Sequence, residues 1–199
     1  MKRFLDVVLS GIALVVLAPV LLVIVVSLRV THGKPVFFRQ VRVGLGEEQF
    51  TLHKFRSMTD SPGLAVTAGN DPRVHKIGRW LRASKLDELP QLWDVFRGAM
   101  SIVGPRPEVP EFVEHWPSDL RPVIVSVRPG ITDPASIHFR HESEILAQYP
   151  DPRSAYIDVV LPKKCELYVE YVNNQSLLGD FKIILQTAQA LVQKTSNES

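Results

Sequence analysis

Hydrophobic positions are spread unevenly along this chain, and the unevenness is the first structural clue. Residues 7–28 read VVLSGIALVVLAPVLLVIVVSL without a single charge. At about 1.5 Å rise per residue, a helix of that length matches a hydrocarbon core about 30 Å thick. The flanks complicate a simple crossing. Lys2 and Arg3 precede the run, and Arg29 and Lys34 follow it. Positive charge marks the cytoplasmic side of a membrane segment, and here both ends carry it. Pro19 lies near the middle, lacks an N–H and kinks or breaks a helix. A helix bent at Ala18–Pro19 would dip into one leaflet and return, leaving both basic ends on one face. A re-entrant helix and a plain span are both open on this pattern. A buried soluble helix and a cleaved signal peptide are weaker readings, the latter because no small-x-small site follows the run.

Beyond the apolar run the pattern changes to short elements. Residues 36–38 and 49–54 read as strands, with a turn at Gly44-Leu45-Gly46 between them, so a hairpin close to the membrane is expected. Arg39, Arg42, Lys54 and Arg56 make it basic, suited to anionic head groups or to a phosphorylated substrate. Residues 59–73 are rich in Gly, Pro, Asn and Asp and read as a loop. A helix is expected over 77–83, with Arg79, Arg82 and Lys85 on one face. Further expectations are a short helix over 108–116 ended by Pro117, a turn at Arg128-Pro129-Gly130, a charged helix over 138–147 and a loop around Pro150 and Pro152. Residues 178–194 form an amphipathic helix by the i, i+3, i+4, i+7 rule, for the core or for the membrane surface. The last residues, 195–199, read as a frayed tail.

Composition narrows the classes. The chain has 199 residues, enough for one domain with an appendage. A net charge of +2 gives no case for nucleic acid as a partner. Cys165 is the one cysteine, which excludes an internal disulfide and fits a reducing compartment.

Candidate chemistry gathers at Asp87 and Glu88. Leu86, Leu89, Trp93 and Phe96 make an apolar stripe from which the acids fall away, so a solvated helix face is the simplest reading. Three features oppose it. Ser84, three residues before Asp87, resembles a capping box, which would put the acids at a helix start where negative charge is favoured and Asp87 stays ionised. Pro90 suits a first turn but disfavours a helical Leu89, so the acids fall at a corner. Arg79, Arg82, Lys85, Arg97 and Arg106 surround them in sequence, and acids with bases suit a phosphate substrate and a divalent cation. A carboxylate approaching a diphosphate meets like charge, about 4 kcal/mol per pair of unit charges at ~4 Å and an effective dielectric of 20. Arginines and Mg²⁺ offset such repulsion, and Mg²⁺ favours one or two carboxylates plus phosphate oxygens. Pro105 and Pro107 stiffen the backbone around Arg106, so its guanidinium loses less freedom on pairing with phosphate.

At these residues the chain resembles the bacterial sugar transferases known as monotopic phosphoglycosyl transferases. The resemblance runs through the basic start and proline-bearing apolar run, then KFRSM (54–58), LDELPQ (86–91), SIVGPRP (101–107), RPGIT (128–132) and LGDFKI (178–183). It implies an α+β, mostly helical fold. A re-entrant membrane helix kinked at Pro19 would occupy 1–34, a small cytoplasmic catalytic domain with a short β-hairpin and amphipathic surface helices 35–194, and a tail 195–199. It implies transfer of a sugar-1-phosphate from a UDP-sugar to polyprenyl (undecaprenyl) phosphate with release of UMP, the first membrane step of a bacterial glycan pathway. Asp87 would be the nucleophile that carries the phosphosugar, and Glu88 would help bind Mg²⁺. Lys54, Arg82, Pro105, Arg106, Pro107, Arg128 and Arg140 would contact substrate. The implied location is the cytoplasmic face of the bacterial inner membrane, among lipid and downstream glycosyltransferases; a homodimer is open.

The chain departs from the family pattern after the RPGIT turn, where DPASIHFRH (133–141) replaces the usual continuation. Sugar selection is expected there. His138 and His141 stand at i, i+3 without further matched ligands, which disfavours a metal pair. Two rival readings are a membrane-tethered scaffold with a decayed site and a membrane-bound UDP-sugar hydrolase that passes the phosphosugar to water.

Overall fold

The computed structural model describes residues 1–59 and 71–197, with side chains as far as residue 190. Fourteen labelled elements order these residues. Helix α1 (Lys2–His32) leads into the antiparallel hairpin β1 (Phe37–Val43) and β2 (Gln49–Phe55). Helices α2 (Lys76–Ala83) and α3 (Gln91–Arg97) are joined by a 3₁₀ turn over Leu86–Glu88. Strand β3 (Ser101–Val103), short helices α4 (Pro110–Val113) and α5 (Arg121–Ile124), and strand β4 (Gly130–Thr132) follow. Then come α6 (Pro134–His138), α7 (Glu142–Leu146), α8 (Pro152–Ala155), α9 (Leu161–Asn173) and α10 (Leu177–Asn197). The molecule is mostly helical, as expected, with a long apolar first helix and a small hairpin.

Several expectations need correction. The hairpin is longer than its apolar clusters suggest, because Arg39, Gln40 and Arg42 pair in the ladder opposite His53, Leu52 and Phe50. The helix expected over 138–147 is confined to α7, with only His138 belonging to the end of α6. The helix expected over 108–116 is confined to α4. The parallel pairing of β3 with β4 went unread because each strand has three residues, too few for a period to register. Helix α9 also went unread, although it supplies Leu161, Cys165 and Tyr168 to the main core, each fully buried. Most of the loop expected over 59–73 lies outside the described residues, although Thr59 N–H donates to the Arg73 carbonyl at 2.9 Å. Helix α10 continues to Asn197, and residues 198–199 lie outside the described residues.

The placement of α1 governs everything near the site. It is unbroken from Lys2 to His32, with Pro19 inside it. One face is apolar and exposed, including Phe4, Ile12, Val15, Val16, Val23 and Val30. The opposite stripe docks on the rest of the chain at both ends. At the start, Lys2 pairs with Asp180 at 2.5 Å. Arg3 donates to the Val95 and Phe96 carbonyls at 2.6 and 2.9 Å, satisfying acceptors that the end of α3 would leave open. Asp6, 5% exposed, accepts from Ser101 Oγ at 2.8 Å and from the Ile102 N–H at 3.1 Å. At the far end, Ile24 and Leu28 pack with Phe55 and Leu81, each apolar side chain contributing about 1.5–3 kcal/mol when fully buried. Arg56 donates to the His32 carbonyl at 2.6 Å, and the His32 ring stacks on His75 with centroids 3.6 Å apart.

Helix α10 presents Ile183 inward while Leu178, Phe181 and Leu185 stay exposed, and Thr187 Oγ1 hydrogen-bonds Thr132 Oγ1 at 2.7 Å. Between β3 and β4 the backbones touch at Gly104 and Gly130. A Cβ on Gly130 would fall 2.1 Å from the Gly104 nitrogen, closer than any relaxation of side chains can relieve. Gly130→Ala should therefore destabilise the fold by roughly 2 kcal/mol, a Tm loss of about 4–8 °C for a chain of this size. A thermal melt with unchanged Tm would contradict this account of the β3–β4 contact.

Candidate active site

Three segments far apart in sequence meet at one carboxylate. Glu88 comes from the 3₁₀ turn between α2 and α3, Lys54 from the end of β2, and Arg106 from the corner after β3. Arg106 Nη2 donates to Glu88 Oε1 at 2.5 Å and Nη1 reaches Oε2 at 3.3 Å. Lys54 Nζ donates to Glu88 Oε1 at 2.9 Å. The two-pronged contact from Arg106 matches the fork geometry of a guanidinium.

The local chain explains why the acids stand at a corner. Pro90 is the N-cap residue of α3 and cannot extend a helix arriving from before it. Leu86 packs beside Leu81 and Leu28 and holds the turn against α1. The expected capping box is absent. Ser84 instead ends α2, its Oγ donating to the Trp80 carbonyl at 2.8 Å, and Lys85 at φ 57° starts the turn. The solvated-face reading fails too, since Asp87 and Glu88 are 6% and 8% exposed.

Two further contacts set the frame. Asp94, fully buried on α3, accepts from the His53 N–H at 3.0 Å and lies 2.7 Å from His53 Nδ1. This ties β2 to α3 and delivers Lys54 to Glu88. Arg42 Nη1 donates to the Pro107 carbonyl at 2.9 Å and reaches Glu108 Oε2 at 3.4 Å, while Tyr156 Oη donates to Glu108 Oε1. Arg42 thus fixes the residue after Arg106. Sequence reasoning assigned no role to Asp94, His53 or Glu108, and gave Arg42 only to a basic band. The band is in fact divided: Arg42 and Lys54 turn inward, Arg56 meets the end of α1, and Arg39 stays exposed.

The remaining expected site residues are placed unevenly. Arg82 Nη1 lies 3.4 Å from Met58 Sδ, and its charge acts on Asp87. The carbonyl of Pro105 accepts from the Gly130 N–H at 2.9 Å, so Pro105 and Pro107 contribute backbone stiffness to the corner. Arg128 is not brought to the acids: its Nε donates to the Gly98 carbonyl at 2.9 Å. Arg140 is exposed and contacts none of the site residues among those described. Within the divergent segment, Asp133 is fully buried and caps α6, accepting from the Ser136 N–H at 2.9 Å. Its charge acts on Arg106.

The adjacent acids are driven apart electrostatically. Burial alone would raise Glu88, but Arg106, Lys54 and Lys85 outweigh it and hold its carboxyl well below the usual range. Asp87 moves the other way. Burial and the Glu88 charge push it up against the pull of Lys54, Lys85 and Arg82. Its Oδ1 is buried without a hydrogen-bond partner. The capping geometry expected to favour its charge is absent, and burial and Glu88 raise it from the ordinary carboxylate value. Among the described residues no side chain forms an ion pair with this acid, so it is the more basic of the two. Pairs split in this way divide acid, base and nucleophile roles between them.

The pair also bears on metal binding. Among the described residues no group of three or more His, Cys, Asp or Glu side chains gathers. Mg²⁺ needs no such group, taking one or two carboxylates with water and phosphate oxygens. The unpartnered Oδ1 of Asp87 beside Glu88 fits that donor set.

A largely exposed apolar helix, long enough to cross a membrane, is docked at both ends against the unit that holds a buried carboxylate pair beside converging guanidinium and ammonium groups. Residues 1–194 match the bacterial sugar transferase family, and the chain belongs to that family. It is 37% identical over 193 residues to a UDP-glucose:undecaprenyl-phosphate glucose-1-phosphate transferase of Klebsiella pneumoniae, covering 94% of this chain and 39% of the relative. A protein of the same name from Caulobacter vibrioides is 34% identical over 197 residues, covering 96% and 69%. The uncharacterized sugar transferase EpsL of Bacillus subtilis is 34% identical over 195 residues, covering 96% and 87%. The chain thus spans about two fifths of the Klebsiella relative's length.

Burial lowers the Lys54 ammonium to about 8, with Glu88 opposing the shift. Lys54 is then charged below that pH and loses its proton as pH rises through it, well before an exposed lysine would. Nitrogen-15 NMR of labelled lysine should show one Nζ titrating near 8, and Glu88→Gln should lower that value further. A Lys54 that titrates with the exposed lysines would contradict the buried clamp.

Proposed function

We propose that this chain transfers a sugar-1-phosphate from a UDP-sugar to undecaprenyl phosphate through a covalent intermediate on Asp87. The observation that carries this reading is the division within the pair: Glu88 is committed to Arg106 and Lys54, while Asp87 keeps an unpartnered oxygen. A carboxylate of raised basicity, screened from water and flanked by cations, is suited to attack phosphorus.

In the first step an Asp87 carboxylate oxygen bonds to the β-phosphorus of the donor. The bond from that phosphorus to the bridging oxygen breaks, and UMP leaves with the electron pair. In the second step a phosphate oxygen of the lipid attacks the same phosphorus, the bond to Asp87 breaks, and the carboxylate is restored. The product is undecaprenyl diphosphosugar. Arg106 and Lys54 stabilise the negative charge gathering on the phosphoryl oxygens, and Glu88 orients both. Arg42 keeps the Pro105-Arg106-Pro107 corner in place. Mg²⁺, held by Glu88, would supply charge neutralisation at the diphosphate.

The membrane arrangement follows from α1. Both of its ends bond to the same unit, which supports a re-entrant helix bent around Pro19 with both basic flanks on the cytoplasmic face. A span would carry one of those ends away from its partners. Exposed Trp80, Trp93 and Phe96 suit the headgroup level of the bilayer. Residues 1–34 would then be the membrane segment and 35–194 the catalytic domain, monotopic on the bacterial inner membrane and upstream of glycosyltransferases that extend the lipid-linked sugar.

A panel of UDP-sugars led by UDP-glucose, with undecaprenyl phosphate and Mg²⁺, tests the reaction by UMP release. Turnover is expected with at least one sugar, and Asp87→Asn should lower it by about a thousandfold or more, in the range of lost nucleophiles. Full activity in Asp87→Asn would remove the covalent route, and UMP release indifferent to the lipid would favour a hydrolase.

A further inference from the structure

Among the cations near the site Lys85 stands out beside Arg82, whose Nη1 lies 3.4 Å from Met58 Sδ. Arg106 and Lys54 are spent on Glu88, Arg42 on Pro107 and Glu108, and Arg128 on the Gly98 carbonyl. Lys85 precedes Asp87 by two residues, is exposed, and its ammonium makes no hydrogen bond or ion pair among the described residues. Its backbone is left-handed at φ 57° and ψ 14°. Side chains with a Cβ disfavour that region, and glycine or asparagine fills it at lower cost. The turn is closed by its backbone alone, through Lys85 N–H to the Arg82 carbonyl and Glu88 N–H to the Lys85 carbonyl, each at 3.2 Å. Nothing in the folding of the turn therefore calls for a lysine. Its charge is nevertheless felt at both acids. A strained backbone that carries a chemically specific side chain beside a site is where function is expected to override stability.

We infer that Lys85 is a phosphate-binding residue, its ammonium meeting a phosphoryl oxygen of a substrate at the mouth of the Asp87–Glu88 site. The inference rests on the proposed reaction for the identity of those substrates. Because Glu88 already pairs with Arg106 and Lys54, Lys85 is, with Arg82, a positive charge beside Asp87 that pairs with no carboxylate among the described residues and is open to an arriving phosphate. A lysine fits this task, since its flexible stem lets one ammonium follow a phosphate that changes partners.

The test separates charge from backbone. Lys85→Gly and Lys85→Asn keep the left-handed turn and remove the ammonium, while Lys85→Arg restores a cation. Dissociation constants are measured on the full chain in nanodiscs, for UDP by calorimetry and for undecaprenyl phosphate by native mass spectrometry. One of the two should weaken about tenfold in the Gly and Asn variants, the loss expected of one charge-assisted hydrogen bond. The Arg variant should stay close to wild type, and the Tm of Lys85→Gly should equal or exceed it. Weakened UDP binding assigns Lys85 to the donor, and weakened lipid binding to the acceptor. If Lys85→Gly binds both probes as wild type does, the inference is overturned. Neither constant depends on turnover. A Lys85-dependent affinity in a chain that releases no UMP would reject the proposed reaction and leave the phosphate site standing.

Discussion

The buried Glu88 carboxylate is the joint on which the site depends. It receives Arg106 and Lys54 from segments separated from it by 18 and 34 residues. Removing one partner of such a buried pair typically costs about 3–5 kcal/mol, because the remaining charge is left uncompensated. The clamp therefore holds β2, the 3₁₀ turn and the Pro-Arg-Pro corner together while it stores positive charge at the site. Its cost is that Glu88 is no free base. The neighbouring Asp87 is left with the raised basicity and the open oxygen that displacement at phosphorus asks for.

The clamp is in turn anchored to the long apolar helix α1. Asp6 bonds to Ser101 and Ile102 on β3, the strand that runs directly into the Arg106 corner. Arg3 closes the end of α3, the helix that begins just after the acids. At the other end of α1, Leu28 packs beside Leu81 and Phe55, next to Lys54. The apolar helix is thus part of the frame that spaces the catalytic segments. If the proposed reaction holds, this gives a physical reason for a site acting on a lipid phosphate to be built directly against the apolar helix.

Local features were legible in the sequence, and long-range ones were not. The charge-free run of α1, the Gly-marked hairpin, α2 and α10 follow from composition and period. Asp87, Glu88 and Arg106 drew attention through their setting among prolines and bases. The roles of Asp94, His53 and Arg42 were hidden because each acts on a partner at least 41 residues away. The place of Arg128 was hidden because its motif carries no sign that the side chain turns to the Gly98 carbonyl. Ser84 misled because the same Ser-x-x-Asp spacing fits a helix start and a helix end, and only Lys85 at positive φ separates the two. The upward shift of Asp87 was hidden for a related reason: burial is a property of the packed fold.

The central claim is that one acid is clamped so that the other can form a bond. Incubating the chain with donor sugar nucleotide alone, quenching rapidly and measuring intact and peptide masses tests this most directly. The account predicts a sugar-phosphate mass increment localised to Asp87, discharged when undecaprenyl phosphate is added. A preparation that turns over with lipid, yet never carries that increment at any time after mixing, would contradict it.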